Sequence, residues 1–159
     1  MKTDFVSALI AEMRKITTHE VRQSYQKRTA TIRPCFTVNI VSVVPISNIS
    51  RLSSLIANDD GVTDLFQQFN IKVQISFLGE NEVDELIMML TMLQSEPCFE
   101  SLGLANIEIY GVTDIRAPYL LNENEDYELM PSFDLELVVV RRFSHSVKYA
   151  TIQQTIKGA

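Results

Sequence analysis

Between Phe69 and Phe77 every odd position is apolar, and Asn70, Lys72, Gln74 and Ser76 fill the even ones. A period of two is the mark of a strand with one buried and one wet face, and a helix cannot reproduce it. A second run has the same period: Phe133, Leu135, Leu137 and Val139 alternate with Asp134 and Glu136. Two long half-buried strands therefore constrain the chain to a sheet with one covered face. The cover must come from helices or from a second sheet.

Helical signals supply that cover. Phe5, Leu9, Met13 and Ile16 recur every three or four residues, with Val6 and Ile10 widening the stripe, which predicts an amphipathic helix from Thr3 to Ile16 capped by Thr3 or Asp4. A second helix starts after Gly79, with Asn81 as cap and Glu82, Asp84 and Glu85 at its positive dipole end. Its body, Leu86 to Leu93, is apolar nearly all round. Val83, Leu86, Ile87, Leu90 and Leu93 are expected to meet the sheet, which leaves Met88 and Met92 turned elsewhere, as core filling or as an adaptable binding face. Pro97 bars simple continuation.

The remaining segments complete an α+β reading: a mainly antiparallel sheet with two helices. Pro34 opens a strand through Val44, and two-sided apolarity at Val41, Val43 and Val44 suggests a central position. Ile49–Ala57 and Val62–Leu78 flank Asn58-Asp59-Asp60-Gly61, a hairpin-type turn, although Thr63 to Phe69 also suits a helical turn. Further strands are expected over Leu104–Val112, Tyr127–Phe143 and about Ser146–Ile156, with an acidic loop at Asn122–Asp126. Thr17–Arg33 shows no apolar period and reads as a basic connector. All 159 residues fit one domain: helix and connector over 1–33, sheet and second helix over 34–156, and a tail at 157–159.

Chemistry has few candidates. Cys35 and Cys98 form no CxxC pair and read as buried thiols. His19 and His145 lie in unrelated polar contexts and read as surface residues. Asp59-Asp60-Gly61 lacks the alternating ligands and closing glutamate of a calcium loop. GxSxG, GxGxxG and GxxxxGK[ST] are absent, so no oxyanion or phosphate cradle has its usual sign, and no cofactor or metal is expected. Met1–Lys15 mixes charge into its apolar stripe, unlike a signal peptide, and Leu86–Leu93 is too short to span a bilayer, so a soluble protein in the cytoplasm is expected, with no membrane partner.

Charge is unevenly distributed. Met1–Arg33 holds seven bases and three acids, Leu137–Ala159 four bases and no acid, and Asn58–Glu136 seventeen acids against Lys72 and Arg116. Opposite potentials on one small domain can steer copies of it together, or the charges intermix on the folded surface; both readings stand. Arg141-Arg142 has two readings as well, a phosphate or acid partner and a solvated strand end. The candidate interface residues are Arg22, Lys27, Arg28, Arg33, Met88, Met92, Glu123, Glu125, Asp126, Arg141 and Arg142.

The order of these features resembles a known family. Ile32-Arg33-Pro34-Cys35-Phe36-Thr37-Val38-Asn39-Ile40, the strand ending Ile75-Ser76-Phe77-Leu78-Gly79 before an acidic-capped apolar helix, then Leu102-Gly103-Leu104, Phe133-Asp134-Leu135-Glu136-Leu137 and Arg141-Arg142, are similar to phage neck or tail terminator proteins. The resemblance implies a structural virion protein and no enzyme: a ring, usually hexameric, at the head-proximal end of the tail. Such a ring stops tail-tube polymerisation and joins the tail to the neck. Its implied partners are its own copies, the tail tube protein and the neck or connector protein, with DNA passing through the lumen without specific binding. The implied location is the virion, after assembly in the host cytoplasm. Two alternatives remain: another head–tail joining protein, such as a stopper or tail-completion factor, and a small cytoplasmic enzyme with its site near Asn122–Asp126.

Overall fold

The two alternating runs pair with each other. A computed structural model describes residues 4–24, 34–46, 62–121 and 127–146. Its elements, in chain order, are α1 (Phe5–Ile16), β1 (Glu20–Gln23), β2 (Cys35–Pro45), β3 (Val62–Leu78), α2 (Glu82–Leu93), α3 (Glu96–Leu104), β4 (Ile107–Val112), β5 (Tyr119–Leu121), β6 (Tyr127–Leu129) and β7 (Ser132–Ser146). The main sheet has five strands in the order β1-β2-β3-β7-β4, all antiparallel except the β1–β2 pair, and β5–β6 forms a separate two-stranded ladder. This is an α+β fold, as the pattern predicts.

Register carries the alternation across the sheet. Phe36 opposes Phe77, Val38 opposes Ile75, and Phe133, Leu135 and Leu137 oppose Ile75, Val73 and Ile71, so all these side chains share one face. That face is buried under Phe5, Val6, Leu9 and Met13 of α1, Leu86, Met89 and Leu93 of α2, and Cys98 and Leu102 of α3, in one continuous core. The Phe36 and Phe77 rings meet at 4.6 Å in a tilted geometry that suits aromatic quadrupoles. The opposite face carries Lys72, Gln74, Glu136 and Asp134 and has no helix over it among the described residues.

Several elements differ from the sequence expectation. Glu20–Gln23 lies inside the supposed connector and forms a parallel strand on β2, placing Val21 in the core. The strand expected from Leu104 begins at Ile107, and the residues before it form a third helix, α3. Pro97 falls in its first turn, where the missing N–H has no intrahelical partner to lose. Asn106, with φ 58°, reverses the chain into β4 in a left-handed conformation that asparagine tolerates. Met130-Pro131 divides the expected Tyr127–Phe143 strand into β6 and β7. Thr63–Phe69 is strand rather than helix, being paired residue by residue with β7.

The caps are also plainer than predicted. Asp4 and Asn81 occupy the cap positions, but neither side chain caps its helix, and Asn81 is left-handed with φ 57°. Ile49–Ala57, the Asn58–Gly61 turn, the Asn122–Asp126 loop and the strand expected beyond Ser146 lie outside the described residues. Among the described residues no helix is long and apolar enough to cross a membrane.

Candidate assembly interface

Strand parity decides where the two arginines of β7 go. Val139 points into the core, so Arg141 shares its side and Arg142 takes the other. The Arg141 guanidinium donates to Asp4 Oδ1 at 2.9 Å and sits 5.6 Å from the centroid of the Phe5 ring, clamping the start of α1 to the sheet. Arg142 is exposed on the helix-free face, opposite Phe66 in register. Arg22, on β1, is half-buried and opposes Thr37. Lys27, Arg28, Arg33, Glu123, Glu125 and Asp126 lie outside the described residues.

Helix α2 is apolar on more sides than the core can use. Leu86, Met89 and Leu93 are fully buried and Leu90 is partly so. Met88 and Met92 are exposed, as expected, but Val83 and Ile87, which the sequence pattern assigns to the sheet, are exposed as well. The core stripe runs through Met89 because α1 and α3, not the sheet alone, flank the helix. With Phe99 of α3, these side chains form an exposed apolar surface on the helix layer. Around it stand Glu80, Glu82, Asp84, Glu96 and Glu100, which make no ion pair among the described residues, and the stretch 73–115 contains no Lys or Arg.

β2 is not central over its whole length. Among the described residues β1 covers only Cys35–Val38 and no strand pairs with that side of the second half of β2, where Val41, Val43 and Val44 are about half-exposed. A register shift between Ile40 and Ser42 marks a bulge at the point where cover ends. Apolar residues on both sides of a strand look alike in the sequence whether the strand is covered over part or all of its length.

The open sheet face has its own charge network. Arg116 donates to Asp134 Oδ2 at 2.8 Å, and Lys72 lies 3.8 Å from Asp134 and 3.7 Å from Glu136. Asp134 itself is buried, its N–H bonded to the Thr113 hydroxyl, while its Oδ1 has no hydrogen-bond partner among the described residues. On α1, burial works to raise the Glu12 carboxyl, but hydrogen bonds from Lys15 and Ser101 and the Lys15 charge outweigh it and hold the group below the usual glutamate value. Burial, reinforced by the Glu12 charge, pushes the Cys98 thiol up, which keeps it protonated and unreactive. Cys35 and Cys98 are both buried, as the sequence suggests.

His19 is not a simple surface residue. Its ring lies 5.3 Å from that of Phe77, and Nε2 is 3.5 Å from Glu85 Oε1, at the wall of a cleft of about 530 Å³ that includes Pro34, Gly79 and Glu80. Among the described residues neither a serine nor a cysteine lines this cleft beside the His19–Glu85 pair. No group of three or more metal-binding side chains occurs among the described residues.

Comparison with known proteins gives one family. No curated protein matches the chain. The model of the family described as "E217 gateway protein gp29" matches residues 66–149, which runs from the first third of β3 past the end of β7 and includes α2, α3 and the open-face charge network. That span exceeds half of the chain, and on it the protein belongs to the E217 gateway protein gp29 family, a phage head–tail gateway family.

Proposed function

We propose that the chain is a structural virion protein that closes into a ring at the head-proximal end of a phage tail, stops tail-tube polymerisation and joins the tail to the neck or connector. The observation that carries this reading is the gateway family match over residues 66–149. The surface supports it: α2, α3 and β2 carry large apolar side chains that are exposed among the described residues and that a partner can cover. A ring uses unlike faces of each copy, and this subunit has an acidic helix layer and a different, strand-built second face. Arg22, Met88, Met92, Arg142 and the residues outside the described segments, Lys27, Arg28, Arg33, Glu123, Glu125 and Asp126, are assigned to contacts with neighbours or partners; Arg141 acts through its hold on α1.

In this reading DNA passes through the lumen without specific contacts, since the chain carries a net charge of -6 that disfavours adhesion to phosphate. The output is a geometry and no bond is made or broken. Native mass spectrometry of the purified protein, with negative-stain imaging of tails incubated with it, tests the proposal. A closed oligomer seated at one tail end is expected. A monomer that never attaches to tails refutes it.

A further inference from the structure

We propose that the exposed face of α2, together with Phe99 of α3, receives an amphipathic helix of a different protein, one whose apolar stripe is flanked by Lys or Arg at both ends. The proposal gives the chemistry of a joining partner and so rests on the joining role above; it needs no closed ring. The face is the first observation. Val83 and Ile87 stand one turn apart, as do Met88 and Met92, and all four are 37–48% exposed. The hydroxyls along this band bond back to the helix: Thr91 Oγ1 donates to Ile87 O at 2.8 Å and Ser95 Oγ to Met92 O at 2.6 Å. From Val83 to Met92 the band runs for about 14 Å, two and a half helical turns. Its i, i+4 rows are ridges of the kind a second helix packs against, and the two methionines adapt to what meets them. An added strand would find no ladder there, because the backbone groups of α2 are bonded within the helix.

Charge is the second observation, and it selects the occupant. Glu80, Glu82 and Asp84 stand at the start of the band and Glu96 and Glu100 beyond its end, none of them with an ion pair among the described residues. A partner that brought acids to either end would be repelled, and so would DNA phosphates. A second copy is not the source of the bases. Arg14 donates to Val21 O, Lys15 pairs with Glu12, Lys72 and Arg116 with Asp134, and Arg141 with Asp4, while Arg142 also has a partner within the chain. Of the described bases this leaves Arg22, which is half-buried on β1. One base does not answer five carboxylates, so the complement comes from another protein.

Fluorescence anisotropy with labelled synthetic peptides tests this on the full chain. One peptide carries leucines at helical i, i+3, i+4 and i+7 spacing with lysines at both ends; a second has the same composition in an order that breaks the stripe; a third replaces the lysines with glutamates. The parent protein is expected to bind the first about tenfold or more tightly than either of the others. Met88→Gln with Met92→Gln is expected to weaken that binding about tenfold at any salt concentration, and Glu80→Lys with Asp84→Lys about tenfold at low salt and less as salt is added, both with melting curves close to the parent's. Equal binding of the striped and reordered peptides, or binding that the Met88 and Met92 substitutions leave unchanged, would reduce the face to general attraction between charges and overturn the proposal. Should native mass spectrometry show the parent as an oligomer that the same two substitutions reduce to monomers, a second copy would occupy the face, and the proposal would fall with the ring reading intact. A parent protein that binds the striped peptide selectively yet never attaches to tails would support the docking chemistry and refute the joining role.

Discussion

The rotation of α2 about its own axis decides what this subunit can dock, and one pair of truncations measures it. Met89 is fully buried and Ile87 is 48% exposed, although both are large and apolar and stand two residues apart. Met89→Ala leaves a cavity among α1, α3 and the sheet, for which buried methionine truncations cost about 2–5 kcal/mol. Ile87→Ala loses roughly half of the 1.5–3 kcal/mol that full burial of an isoleucine provides, and alanine's better helix propensity returns a few tenths. The net loss is about 0.5–1.2 kcal/mol. For a chain of this size each kcal/mol shifts the midpoint by about 2–4 °C, so a central value of about 3 kcal/mol predicts a fall of about 6–12 °C for Met89→Ala and about 1–5 °C for Ile87→Ala. Thermal and urea unfolding followed by circular dichroism, at concentrations where the midpoint no longer depends on protein concentration, separates subunit stability from assembly. An Ile87→Ala loss equal to or above that of Met89→Ala would refute the structure of this face, since it would require α2 to be turned by well over a quarter of a rotation.

Other substitutions probe the supports of the same surface. A β-carbon on Gly79 would lie 2.7 Å from Pro34 Cβ and 2.9 Å from Phe77 Cε1, so Gly79→Ala is expected to cost about 1–3 kcal/mol in thermal melts, and an unchanged midpoint would show that the β3–α2 turn is looser than described. Glu12→Gln removes a carboxylate whose folded pKa lies below the ordinary 4.5; the stability it supplies is complete above that pH and is lost as pH falls through the lowered value. The gap between parent and variant should therefore be about 1 kcal/mol at pH 7 and close in acid, and a gap constant with pH would contradict the assignment. Arg141→Ala should free the start of α1 at a cost of about 1 kcal/mol, read as faster amide exchange at residues 5–9; equal exchange in both proteins would show the Asp4 and Phe5 contacts to be idle.

The strands were legible because a period of two survives any detail of tertiary packing: the odd positions from Ile71 to Phe77 and from Phe133 to Val139 are all buried. The orientation of α2 was not legible, for the same reason that the helix was easy to find. Apolar residues on every side leave no polar face to read, so the neighbours choose which stripe goes inward. β1 escaped notice because four residues with a single buried side chain, Val21, carry no periodic signal. α3 is nine residues long with Pro97 and Gly103 inside it, too short and too interrupted to register as a helix. Among the candidate interface residues, Met88 and Met92 were visible as a surplus on a crowded helix, and both are exposed. The division between Arg141 and Arg142 was also available, because the parity that puts Val139 inward fixes the side each arginine takes.

The charge asymmetry of the sequence changes meaning once these contacts are drawn. The sequence is basic over Met1–Arg33 and acidic over Asn58–Glu136. Yet Lys15 is engaged with Glu12 and Ser101, the Arg14 guanidinium donates to Val21 O, and Arg141 is held by Asp4, so these three bases are committed within the subunit. Lys72 and Arg116 are likewise occupied by Asp134 and Glu136 on the open sheet face. Glu80, Glu82, Asp84, Glu96 and Glu100 have no such neighbours among the described residues, and negative charge collects on the helix layer. A helix layer that is both apolar and uncompensated gains from a partner twice, by removing methyl and aromatic surface from water and by relieving repulsion among like charges. Salt weakens only the second gain, because screening at about 0.15 M acts over about 8 Å and leaves apolar burial in place. Assembly should therefore weaken with added salt without vanishing. Complete dissociation at moderate salt would mean that the apolar stripe of α2 lies outside the contact.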